Sequence, residues 1–301
     1  MDKRVLITGG TGFIGKVLCR DLINKGYSLT VLSRQRTDTV KALCGRVEVT
    51  ADLKNLEGHP GFQAVINLAG EGIADERWTE ARKQALRDSR IGLTRTLVST
   101  IRSWQTLPEV LVSGSAVGFY GNQNEHLVTE DTQPNPEFTH ELCRDWEQEA
   151  QTLEQDGVRV CLSRTGVVVG RAGGFLQRMI LPFRLGLGGR LGSGHQYMPW
   201  VHRDDVVAGL IWMLENEHAR GAYNMVSPNP ATNREFTRTL GKVLHRPTLF
   251  PAPAPILKLA LGEMAGLLLT GQKAVPMRLQ NEGFKFKYPV LEAALEESVA
   301  G

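Results

Sequence analysis

A strand-like run, Val5-Leu6-Ile7-Thr8, leads directly into the glycines Gly9, Gly10, Gly12 and Gly15, and an amphipathic stretch over residues 13–25 follows and stops at Gly26. No other feature of the chain limits its fold so strongly. The spacing satisfies both GxGxxG (Gly10, Gly12, Gly15) and GxxGxxG (Gly9, Gly12, Gly15). In such a turn the glycines let the chain reverse tightly, let backbone approach a pyrophosphate, and let the helix pack close to the strand. The N–H groups at the helix start then face the anion. With a strand before and a helix after, the segment predicts a dinucleotide-binding unit. Its contacts fall on Gly9, Thr11, Gly12, Phe13, Ile14 and Gly15.

The remainder of the first half continues the alternation. Residues 28–33 and 46–53 read as the second and third strands, 64–70 (AVINLAG) as a buried parallel strand, 109–116 as the fifth and 158–164 as the sixth. Helical patterns over 79–102 and 138–155 lie between them. Strands and helices alternating at this spacing give right-handed crossovers and a doubly wound, parallel α/β sheet of the Rossmann type. Residues 1–165 form this half. Glycines crowd 166–194 and PAPAP interrupts 251–255, so residues 166–301 read as a smaller C-terminal substrate lobe, with a segment near 200–225 returning to the sheet. The apolar stretch 256–269 carries Lys258 and Glu263, is too short to cross a bilayer, and reads as a packed helix.

The second strand ends in Ser33-Arg34, with no carboxylate where an NAD site holds the ribose 2′-hydroxyl. An arginine there suits a 2′-phosphate, so NADP(H) is the expected cofactor. Ligands in such sheets lie outside the carboxyl ends of the strands. That rule adds Asp52 and Leu53 after the third strand, Leu68, Ala69 and Gly70 after the fourth, and Ser113 and Gly114 on the fifth. Asp52 serves equally well as a cap.

A formal charge of +3, from 35 Lys and Arg against 32 Asp and Glu, gives no basic face for nucleic acid. Four cysteines (Cys19, Cys44, Cys143, Cys161) lie far apart without metal-ligand spacing, so neither a metal site nor a disulfide framework is expected. The chain enters a strand at once, which leaves no room for a signal peptide. A cytoplasmic protein acting on a small molecule, with no membrane partner, is the expectation.

With TGGTGFIG (8–15), NLAG (67–70) and SGSAVGFYG (113–121), the chain resembles the extended short-chain dehydrogenase/reductases of the NAD(P)-dependent epimerase/dehydratase kind. The resemblance runs on through SRTGVVVG (163–170) and WVHRDDVV (200–207). PFRLGLGG (182–189) and GSGHQYMPW (192–200) resemble a branch called epimerase family proteins, some plastid members of which are linked to organelle division. It implies that Arg164, Thr165 and Gly166 border the cofactor or substrate, that Ser115 assists at the reacting oxygen, and that a homodimer forms through the long helices. In the wider family a Tyr, with a Lys four residues later, supplies the acid–base group. Here PEFTHELCRDWE (136–147) offers Phe138 and Leu142, or Thr139 and Cys143. Positioned acid–base catalysis contributes about 10² to 10⁴ in rate, so Tyr120 stands as the substitute phenol. His140 and His202 are further candidates, and Cys143 reads as core. Glu71, Arg77, Gln196, Tyr197 and Trp200 are candidates for the substrate cleft. Two functions remain open: an NADP(H)-dependent oxidoreductase or epimerase acting on a carbonyl or carbinol of a nucleotide-sugar-like kind, or a non-catalytic NADP(H)-binding sensor or scaffold, division-related in character.

Overall fold

A computed structural model describes residues 3–300. The chain runs through β1 (Arg4–Thr8), α1 (Gly15–Asn24), β2 (Ser28–Leu32), α2 (Thr37–Cys44), β3 (Glu48–Thr50), β4 (Ala64–Asn67), α3 (Glu80–Arg87), α4 (Leu93–Arg102) and β5 (Val110–Ala116). β6 (Leu127–Val128), α5 (Phe138–Gln151), β7 (Arg159–Thr165), β8 (Val167–Val169), α6 (Gly174–Arg184), β9 (Tyr197–Met198), β10 (Trp200–His202), α7 (Arg203–Glu215) and β11 (Gly221–Met225) follow. The C-terminal part comprises β12 (Ala231–Thr232), α8 (Asn233–Val243), α9 (Ala254–Leu261), α10 (Gly266–Leu269), β13 (Lys273–Ala274), α11 (Met277–Asn281) and α12 (Leu291–Val299).

Seven strands form one parallel sheet in the order β11-β7-β5-β4-β1-β2-β3. The order reverses between β1 and β4, and outside the carboxyl ends of these strands lies the switch-point crevice where sheets of this kind take ligands. Alternation along the strands divides the core. Val5, Ile7, Val31, Ile66 and Val112 pack against α1, α2 and α7 on one face. Leu6, Val65, Leu111, Val160 and Leu162 lie on the other, with Leu97, Ile101 and Ala150 of α4 and α5. A separate cluster, including Leu176, Phe183, Trp200, Phe236 and Leu295, centres the C-terminal part. Residues 203–225 leave that part: α7 joins the sheet's core and β11 pairs with β7.

Three local expectations are corrected. The third strand stops at Thr50 because the Asp52 carboxylate accepts from Lys54 N–H at 3.0 Å and starts a 3₁₀ turn over Leu53–Leu56. The helical stretch 79–102 is two helices joined by a π turn, Asp88–Gly92. The segment 256–269 is not one packed helix. Gly262, at φ +61°, ends α9, and no residue of α9 is buried.

Candidate functional site

The glycine turn is built by contacts that leave no room for side chains. A Cβ on Gly9, whose φ is +71°, would lie 2.7 Å from the Leu68 carbonyl, so the loops after β1 and β4 touch at the switch point. On Gly15 a Cβ would meet the Gly9 oxygen at 2.2 Å. Gly12 differs: it is exposed, and the nearest obstacle to a Cβ is the Gly9 oxygen at 3.2 Å. α1 begins at this point with no side chain capping it, so its first N–H groups face an open turn, the arrangement that holds an anion. Thr11, Phe13 and Ile14 are partly exposed beside it. The Phe13 ring is gripped by Gly170, Gly173 and Gly174 and lies 5.2 Å from the Arg203 guanidinium. The glycines of the lobe thus close down on the start of α1.

At the end of β2, Ser33 Oγ accepts from Gln35 N–H at 3.2 Å, and this turn presents Arg34. Arg34 is exposed and makes no hydrogen bond or ion pair among the described residues. Asp52 is exposed but serves as a cap, while the Leu53 side chain is buried beside α4. Leu68, Ala69 and Gly70 border the crevice, with Ala69 N–H donating to Thr8 Oγ1 at 3.1 Å.

Below the crevice, strand register assembles two rows of polar side chains. Thr8, Asn67 and Ser113 are neighbours across β1, β4 and β5. Thr8 Oγ1 donates to Asn67 Oδ1 at 2.7 Å, and Asn67 Nδ2 donates to Thr94 Oγ1 at 2.9 Å and Ser113 Oγ at 3.4 Å. Trp146 Nε1 donates to the same Thr94 oxygen at 3.0 Å. Ser113 is therefore fully buried and its hydroxyl is used inside the protein, while Gly114 is buried against Trp146. The expected direct contact of these two with a cofactor is corrected on this ground: neither presents an exposed group to make it.

The second row is Ser115, Arg164 and Asn224, in register across β5, β7 and β11. Glu147 on α5 joins it. Arg164 donates to both Glu147 oxygens at 2.9 Å, and Ser115 Oγ donates to Glu147 Oε1 at 2.5 Å. The Arg164 guanidinium also donates to Tyr120 at 3.0 Å and stacks 3.5 Å from the Phe119 ring centroid. Burial opposes the arginine's charge, but the Glu147 contacts outweigh it and the pKa is raised.

Tyr120 is wholly buried and donates to Asn224 Oδ1 at 2.6 Å. Burial pushes its pKa up to about 12, against the pull of Arg164. The geometry removes Tyr120 from the role of substitute phenol, and Arg164 from that of a ribose-binding group, because both are consumed by the network. Ser115 is buried as well and its hydroxyl is donated to Glu147, but it sits at the crevice end of this row. Thr165 bonds Ser163 through its hydroxyl at 3.0 Å. Gly166 fits under Pro199, whose oxygen would lie 1.9 Å from a Cβ.

The other candidates separate as clearly. His202 is fully buried, caps α7 by accepting from Asp204 N–H at 3.2 Å, and meets Glu297 at 2.8 Å. His140 is held by the Phe119 carbonyl at 2.6 Å. Cys143 is buried beside Ser115 and the Ala116 backbone, and burial raises its pKa to about 12. Trp200 lies in the lobe's core with Nε1 donating to the Asn229 carbonyl. Gln196 ties two backbone carbonyls, and Lys273 covers Tyr197. Glu71 pairs with Arg82, and Arg77 reaches Leu259 O at 3.4 Å. All four cysteines are free and buried. Among the described residues no helix is long and apolar enough to cross a membrane, and no His, Cys, Asp and Glu cluster suits a metal ion.

Sequence reasoning missed Glu147 and Arg90. Glu147 was legible as an acid on the apolar stripe of α5, one position after Trp146. Arg90 sits in the π turn, over the Trp146 ring at 5.5 Å; no sequence signal marks the turn.

Comparison with known proteins matches residues 5–225 to a family model described as the NAD dependent epimerase/dehydratase family, and residues 252–298 to a domain of unknown function, DUF1731. The chain is 39% identical to epimerase family protein SDR39U1 of Bos taurus over 305 aligned positions, covering 99% of this chain and 100% of that one. It is 37% identical to epimerase family protein YfhF of Bacillus subtilis, covering 98% of each. The crystal structure of human epimerase family protein SDR39U1 (isoform 2) with NADPH superposes with a TM-score of 0.90 at 36% identity, over 98% of both chains. A UDP-glucuronic acid 4-epimerase from Bacillus cereus, 17% identical with a TM-score of 0.78 over 98% of this chain and 97% of that one, shares the fold.

Proposed function

Because the chain belongs to the NAD dependent epimerase/dehydratase family, we propose that it holds NADP(H) across the β1–β4 crevice and acts as an oxidoreductase or epimerase on a carbonyl or carbinol carbon. The carrying observation is the open turn at Gly12 and the uncapped start of α1, with the free guanidinium of Arg34 at the end of β2. The N–H groups of that turn would hold the pyrophosphate, and Arg34 the 2′-phosphate. The human relative crystallised with NADPH supports the choice of cofactor.

When bound, NADPH supplies a hydride to the substrate carbon. The chain's own residues position the reaction. Ser115, oriented by the Glu147–Arg164 pair, would be the hydroxyl nearest the reacting oxygen, and Thr165 and Gly166 would border the nicotinamide. A carbonyl oxygen gaining the hydride's electrons needs a proton, and water is its source, because the Ser115 hydroxyl is donated to a Glu147 carboxylate that is itself ion-paired with Arg164.

One observation favours a second reading, a non-catalytic NADP(H)-binding protein. The positions that carry Tyr and Lys in the wider family hold Phe138 and Leu142 or Thr139 and Cys143, and none of these moves a proton near neutral pH.

Calorimetric titration with NADPH and NADH tests the cofactor. A charge-assisted contact contributes about 1.5–3 kcal/mol, roughly ten- to a hundredfold in affinity. NADPH is therefore expected to bind at least about tenfold more tightly than NADH, with the preference lost in Arg34→Ala. Equal affinities in the unaltered protein would remove Arg34 from the site. NADPH that binds but is never oxidised by a broad carbonyl panel would favour the second reading.

A further inference from the structure

We propose that Arg90 forms an anion subsite at the reacting end of the crevice, and that the substrate is a carbonyl or carbinol compound carrying a carboxylate next to the reacting carbon. The inference rests on the cofactor crevice proposed above and names the substrate class it takes.

Arg90 projects from the π turn between α3 and α4, a kind of helix defect found often at functional sites. Its guanidinium fits under Gly70, where a Cβ would come within 3.1 Å of Cζ, and lies over the Trp146 ring. Nη2 donates to the Glu71 carbonyl at 2.7 Å, and Nη1 reaches Leu86 O at 3.4 Å and Ser89 Oγ at 3.5 Å. All three acceptors are uncharged. They occupy three of the five N–H donors of a guanidinium.

The charge is not balanced by the protein. Glu71, the nearby carboxylate, is bonded to Arg82, and Arg90 has no ion-pair partner among the described residues. Two guanidiniums thus lie by one carboxylate, and only Arg82 is paired with it. Arg82 also keeps a buried Nε–H without an acceptor, so the cluster is rich in donors as well as in charge. Burial pulls the Arg90 pKa below its usual value, and a half-buried cation with no counterion is stabilised most by a bound anion.

Position ties this charge to the reaction. Cys143 and Trp146 share one face of α5, three residues apart. The Cys143 thiol lies beside Ser115. Arg90 lies over the Trp146 ring, and that ring closes on Gly114, the residue before Ser115, so one indole separates the guanidinium from the strand end that carries Ser115. A carbonyl oxygen at Ser115 places a neighbouring carboxylate at Arg90, whose planar fork suits two parallel bonds to it.

The test uses 2-oxo acids of increasing size, from glyoxylate to phenylglyoxylate, each paired with its neutral methyl ester. Binding is measured calorimetrically on the full-length protein with and without saturating NADPH, for the unaltered chain, Arg90→Gln and Arg90→Lys, with thermal melts confirming that the variants fold. At least one acid is expected to bind about tenfold or more tightly than its ester. Arg90→Gln erases that difference, Arg90→Lys restores part of it, and the affinity for NADPH is unchanged in both.

No acid preferred over its ester would overturn the proposal. So would a preference that survives Arg90→Gln, or a variant whose loss falls on NADPH, which would assign the guanidinium to the cofactor. Charge-selective acid binding in a protein that fails to bind NADPH would support the subsite and sink the cofactor reading, so the two failures are separable.

Discussion

At the residue scale, the glycines of the first turn do different work, and substitution separates them. Alanine at Gly15 drives a Cβ into backbone, 2.2 Å from the Gly9 oxygen and 2.7 Å from Gly10 Cα, where no side chain can move aside. Gly15→Ala is expected to lose about 3 kcal/mol of stability, read from denaturant unfolding. Gly12→Ala meets only one atom at 3.2 Å and faces the open side. It is expected to stay within about 1 kcal/mol of the unaltered protein while NADPH affinity falls more than tenfold. A Gly12 variant that binds NADPH normally would show that the pyrophosphate does not approach this turn.

At the element scale, the polar rows exist because parallel strands in fixed register bring distant positions side by side. Ser115, Arg164 and Asn224 come from three strands, and Glu147 from a helix. Removing the charge of Glu147 strands a buried guanidinium. Glu147→Gln is therefore expected to cost about 3–5 kcal/mol, and Glu147→Leu combined with Arg164→Met to recover much of it. Recovery of none would mean that the row matters for shape rather than charge balance. These rows also mark the limit of sequence reading. The strands β1, β2, β4, β5 and β7 and the glycine turn were legible because each is local: an apolar run, a spacing, a stop. The roles of Tyr120, Ser113 and Arg164 were not, since their partners Asn224, Asn67 and Glu147 lie 104, 46 and 17 positions away in sequence, and only the packed fold shows that their polar atoms are already used. The π turn around Arg90 was hidden for a different reason. Five residues of wider winding keep the same apolar periodicity on either side.

At the scale of the whole molecule, the loop between β4 and α3, together with the first turn of α3, fastens the two parts to each other. Arg178 of α6 holds Asp75 and donates to Ala74 O at 2.6 Å, and Lys83 meets Glu263 at 2.7 Å. Much of this is solvent-exposed, and such pairs contribute at most about 1 kcal/mol each. Arg178→Ala with Glu263→Ala is accordingly expected to lower the melting temperature by no more than about 4 °C. Amide exchange in α6 and α9 should rise severalfold, since local opening is governed by such ties. A large drop in melting temperature with unchanged exchange would place the ties in the global fold instead.

The return of β11 to the sheet bears on how the chain is made. Until residues 221–225 emerge, β7 is an unpaired edge whose central residues are apolar, the form of backbone that recruits a strand from another chain. The seventh strand arrives roughly 55 residues after the sixth is complete, on the order of 3–11 s at ordinary rates of synthesis. During that interval the nascent protein carries an open template for misassembly. A break anywhere between β7 and β11 would make the exposure permanent, so the length of the connection sets how long a new chain depends on being kept apart from its neighbours.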